Sequence, residues 1–85
     1  PDQPNAVLNI GLIHQDRGEF TKASEYAKKA IEIAPNDPFI QMNSIFIFIN
    51  TQQCDTAVEA IKNAGNVLSP DLIEVLESAL QGACQ

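Results

Sequence analysis

The 85-residue sequence predicts an all-α fold, an α-solenoid of antiparallel helix pairs with about five helices in a single domain over residues 1–85. Three observations carry this. The chain repeats itself at an offset of 34 residues, its apolar residues recur at helical spacing, and glycine and proline stand where helices must turn. A period of this length marks a stacked supersecondary unit, because one unit cannot bury its own apolar face. At that offset the identical pairs include Pro1/Pro35, Pro4/Pro38, Asn9/Asn43, Ile13/Ile47, Ala23/Ala57, Glu25/Glu59, Lys28/Lys62 and Ala30/Ala64. Ten of the 51 pairs are identical, where unrelated segments of ordinary composition give about three.

The first helix is expected over about residues 5–17, where Val7, Ile10 and His14 fall at helical spacing and Gly18 stops the run. A second follows over 20–34, with Phe20, Ala23, Ala27, Ala30, Ile31 and Ala34 on one stripe and Glu25–Lys29 in the favourable i,i+4 order. Pro35 ends it, since the residue before a proline avoids the α region. In PNDP, Asn36 or Asp37 can cap the next helix and Pro38 suits its first turn, where no amide is needed. Helices three and four are expected over about 39–51 and 54–67. Ser69-Pro70-Asp71 opens a fifth, with Leu72, Val75, Leu76, Ala79, Leu80 and Ala83 on its apolar side. Ser44 to Ile49 dissents, being β-branched and aromatic and strand-like by propensity. The repeat register puts it in a helix, and tertiary context overrides propensity.

Eleven acids against five bases leave a formal charge of −6. That argues against nucleic acid, where Lys and Arg must neutralise phosphates, and against an anionic membrane surface. The longest apolar run, Ile45 to Ile49, is too short to enter a bilayer as a span. Two scattered cysteines, Cys54 and Cys84, make no disulfide framework. Free thiols are therefore expected, with a lean towards a reducing, cytoplasmic compartment.

The period and its punctuation resemble a tetratricopeptide repeat. Residues 4–37 carry the resemblance: Gly11, Gly18, Ala23, Ala30 and Pro35 match that family's pattern. Val7 stands where a tryptophan is usual, Ile10 at a leucine place, His14 at a tyrosine place and Ala27 at a phenylalanine place. Residues 38–71 look like a degenerate second copy: Ala57 and Ala64 are kept, Ile45 replaces the glycine, and Gln52 replaces the turn glycine. A bulky Ile45 at a helix contact is expected to push the helices apart. Residues 70–84 look like a C-terminal capping helix. PDQP and PNDP are then joints between units, and the first joint implies that the chain is one end of a longer array.

The resemblance implies a non-catalytic protein-protein interaction module that binds in a concave groove lined by the first helix of each pair. Carried over, the lining is Asn5, Leu8, Asn9, Leu12, Gln15 and Asp16, then Phe39, Met42, Asn43, Phe46, Ile49 and Asn50. The residues expected to bind a partner are Leu8, Asn9, Leu12, Phe39, Met42, Asn43, Phe46 and Ile49. Met and aromatic side chains make an adaptable apolar surface, which is either open to a protein or peptide or simply covered core. A second use of the strip is self-association, as a homodimer or against other repeats. Asn9 and Asn43 resemble the asparagines of family members that clamp the acidic tails of heat-shock chaperones. The bases such clamps need are replaced here by Asn5, Ile73 and Glu77. No carboxylate clamp is expected. Nor is an enzyme, a cofactor or a metal: His14 is the only histidine, no CxxC exists, and no glycine-rich phosphate loop is present.

Overall fold

The computed structural model describes residues 3–84 and contains five α-helices, with no strand among the described residues. They are α1 (Pro4–Asp16), α2 (Phe20–Ile33), α3 (Pro38–Asn50), α4 (Cys54–Asn63) and α5 (Pro70–Ala83), with a single 3₁₀ turn, Ala64–Asn66, after α4. Pro1 and Asp2 lie outside the described residues, and with them half of the PDQP joint. The fold is an all-α, solenoid-like stack of helix pairs, each helix antiparallel to its partner. The Cα trace extends 30 × 27 × 15 Å, and its thin dimension is two helix layers deep.

Each start and stop has a local cause. Asp37 caps α3, its Oδ1 accepting from the amides of Phe39 at 2.9 Å and Ile40 at 3.3 Å. Ser69 caps α5 through Leu72 N–H at 3.3 Å. Pro4, Pro38 and Pro70 each occupy the first helical position, where no amide donor is missed. The turns after α1 and α3 are built alike, 34 residues apart. After α1, Gly18 N–H donates to Gln15 and Glu19 N–H to His14; after α3, Gln52 N–H donates to Ile49 and Gln53 N–H to Phe48. Both are six-residue helix ends closed by a left-handed residue. Gly18 adopts φ 76° without cost, whereas Gln52 is forced to φ 62°.

The core centres on α3, which packs against α1, α2, α4 and α5. Its buried residues Ile40, Ser44, Ile45, Ile47, Phe48 and Ile49 cover most of its circumference. A helix apolar nearly all round belongs at the centre of a fold, which is why the strand-like Ser44–Ile49 run is helical. Gln41 is buried too, and its Nε2 donates to the Pro35 carbonyl at 2.7 Å, tying α3 to the joint before it.

Small residues set how closely the pairs approach. A Cβ on Gly11 would sit 3.3 Å from the Ala23 carbonyl oxygen, 3.3 Å from Tyr26 Cβ and 3.4 Å from Ile47 Cδ1. With Ala23, Ala27 and Ala30 fully buried opposite, α1 and α2 lie close along their length. In the second pair Ile45 takes the place of that glycine; it is fully buried, and α3 and α4 approach far less closely.

Several expectations need correction. The cysteines are not free: Cys54 and Cys84 form a disulfide, Cα to Cα 5.9 Å. α5 runs back along α4, so its C-terminal end arrives beside the first residue of α4, an adjacency that sequence distance hides. The ground for reading a reducing compartment goes with the free thiols. Closing a loop of 30 residues stabilises a chain by about 3–4 kcal/mol in the entropic account. Phe20 and Val75, read as core-facing, are exposed; the rest of the expected apolar side of α5 packs inward, with Leu76 buried and Leu72, Ala79, Leu80 and Ala83 partly buried against the core. The Glu25–Lys29 pair does not form; both side chains stay in water, where such a pair gains little.

Restoring the turn glycine tests this account of the second pair. Gln52→Gly should raise stability by about 1 kcal/mol, the left-handed penalty less the extra entropy of glycine. It would be read as a higher urea midpoint at unchanged m-value. An unchanged or lower midpoint would contradict the strained turn.

Candidate functional site

The first helices of the pairs, α1 and α3, lie side by side, and α5 continues the layer beyond α3. Along α1, Asn5, Asn9, Leu12 and Asp16 are exposed. Their spacing of four, three and four residues makes one continuous line on a helix. One period later, the same line on α3 is Phe39, Asn43, Phe46 and Asn50. Phe39 and Asn50 are exposed; Asn43, Phe46 and the adjacent Met42 are half-buried. This is the one outward line of an otherwise buried helix.

Six of the eight residues expected to bind a partner therefore reach the surface here: Asn9, Leu12, Phe39, Met42, Asn43 and Phe46. Leu12 is 37% exposed and Phe39 59%, large values for side chains of this size. Leu8 and Ile49 are buried, each 2% exposed, and support the line from beneath rather than lining it. Asn43 Nδ2 donates to the Phe39 carbonyl one turn back at 2.8 Å, so that amide is engaged within its own helix.

The opposite layer offers a smaller feature. α2 and α4 hardly touch, which leaves a cleft of about 260 Å³ between Ile31, Gln41, Phe48 and Ala60, rimmed by Lys28, Glu32 and Glu59. That is below the range of ordinary small-molecule sites, about 300–1,000 Å³.

The chemistry-bearing side chains lie elsewhere and are engaged. His14 Nδ1 donates to Glu19 Oε1 at 2.7 Å, and the His14 ring stacks on Tyr26 with centroids 5.3 Å apart. The hydrogen bond from His14, and then its charge, hold the Glu19 carboxyl below the usual glutamate range. No group of three or more metal-ligating side chains occurs among the described residues, and none of their helices is long and apolar enough to cross a membrane.

With this geometry in view, residues 4–37 match the family model of the tetratricopeptide repeat. The α1–α2 hairpin and the joint after it are a tetratricopeptide repeat, a unit that generally mediates protein-protein interaction or scaffolding. No curated protein and no solved structure matches the chain significantly.

The His14–Glu19 contact has a pH signature. Because the folded-state pKa of Glu19 is depressed, the contact contributes stability above the ordinary glutamate range and loses it as pH falls through the depressed value. In His14→Phe the Glu19 carboxyl, followed by its side-chain ¹³C shift, should titrate at higher pH than in the parent. Identical titrations would show that the two side chains do not interact in solution.

Proposed function

We propose that the chain is a non-catalytic protein-interaction module that takes an apolar helix or strip of a partner along the line of Leu12, Phe39, Met42 and Phe46, with Asn9 and Asn43 beside it. The observation that carries this reading is the exposure of Phe39, at 59%, on a helix whose other faces are core. An aromatic side chain in that position is a natural anchor, because a few large apolar residues supply most of the energy of an interface. The pairing of the cysteines and the engagement of His14 with Glu19 and Tyr26 support a module without catalysis.

A second reading has its own observation. Ala6, Ile10 and Ile13 are exposed on a different side of α1, while their counterparts one period later, Ile40, Ser44 and Ile47, are buried. α3 packs on the first hairpin, and Ile47 lies against Gly11 of α1 there. The repeat register thus favours a further helix over Ile10 and Ile13, from another repeat or from a second copy of the chain. The two readings use different faces and are compatible.

Selection of helical peptides from a displayed library tests the first reading without knowing the partner. Ligands of the parent chain should lose at least tenfold in affinity, about 1.4 kcal/mol, towards Leu12→Glu and Phe39→Glu. They should keep it towards Val58→Glu on α4, which is exposed on the other layer. Ligands insensitive to both groove substitutions would overturn the assignment of this face.

A further inference from the structure

The charge of this protein is not spread over it. Residues 17–33 and 51–67, which hold α2, α4 and the turns before them, carry five acids and five bases and are neutral. The remaining segments, 1–16, 34–50 and 68–85, hold α1, α3, α5 and their joints and carry six acids and no base. Among the described residues, α1, α3, α5 and the joints before them, which present Leu12, Phe39, Met42 and Phe46, carry Asp16, Asp37, Asp71, Glu74 and Glu77 and no base, and Arg17 stands just past the end of α1. Asp16 ends the exposed line on α1, and Asp71, Glu74 and Glu77 are exposed on α5, which borders α3. On α3 itself no charge interrupts the apolar line.

From this distribution we infer that the groove's occupant is a cationic amphipathic segment, a helix with an apolar face flanked by Lys or Arg. The inference rests on the interaction reading above and names the chemistry of the partner. An apolar strip bordered by charges of one sign selects by complementarity: like charges brought against the rim cost free energy, and opposite charges speed encounter and fix register. The same argument decides against the other occupants. A second copy would set acid against acid across the groove, and an acidic peptide would do the same. Basic partners are attracted by this layer alone, because the α2–α4 layer has no net charge to offer.

The test uses two fluorescent 18-residue peptides of one design, a leucine face backed by lysine or the same face backed by glutamate, titrated by anisotropy at low and at physiological salt. The lysine peptide should bind at least tenfold more tightly, and weaken as salt rises. Asp16→Asn/Glu74→Gln/Glu77→Gln should erase most of that preference. Glu25→Gln/Glu32→Gln/Glu59→Gln, the same charge change on exposed positions of α2 and α4, should leave it intact. Equal loss in both triple variants would mean attraction to net charge alone and would overturn the inference. So would equal binding of the two peptides that still depends on Phe39; in that case the groove stands and its charge selectivity falls. Binding of neither peptide would overturn the groove reading together with the inference.

Discussion

The burial of α3 is the constraint on which the rest of the molecule depends. One helix of 13 residues touches all four others, and seven of its side chains are withdrawn from water. A small chain has little apolar surface to bury, and here much of it is concentrated on a single element. The other helices are arranged as covers: the first hairpin on one side, α4 behind, α5 at the end. What α3 leaves uncovered is one line, and that line is the candidate site. The candidate line and the core are thus two sides of the same helix, which places Phe39 and Phe46 on a rigid support without a dedicated scaffold.

The two hairpins meet this constraint differently. The first uses Gly11 and three alanines to bring α1 and α2 together closely, and its turn has the glycine that a left-handed residue favours. The second has Ile45 in the contact and Gln52 in the turn, so its helices stand further apart and its turn is strained. The disulfide from Cys54 to Cys84 acts at this weaker end, tying α5 to α4 where packing is sparser. The second hairpin holds a bulkier core in exchange for close helix contact, and covalent closure offsets part of what that loses.

Much of this is legible in the chain because the repeat is a physical period. The 34-residue offset placed the strand-like Ile45–Ile49 run in a helix against its own propensity, and the proline joints located the starts of α3 and α5. The exposed line along α1 and α3 follows from the same register, since Asn5 predicts Phe39 and Leu12 predicts Phe46. What the sequence concealed depends on the third dimension. Leu8 and Ile49 share the apolar character of the lining, and only their neighbours decide that they are covered. Val75 and Phe20 read as core because helical spacing defines a stripe without saying how wide its cover is. Cys54 and Cys84 are far apart along the chain, and their pairing needs the direction of α5 to be known. The signal for it was available in part: antiparallel succession of helices returns the end of the fifth to the start of the fourth.

The central claim, that α3 is the element whose burial holds the others in place, is tested most directly by native-state amide hydrogen exchange of the oxidised chain. Amides of Ile45, Ile47 and Phe48 should exchange only through global unfolding, with opening free energies equal to that from urea denaturation, while α5 and the outward side of α1 open at lower cost. If the α3 amides exchange as readily as those of α5, the centre of the fold is not where its stability resides, and the account of the groove as the outer line of a rigid core fails with it.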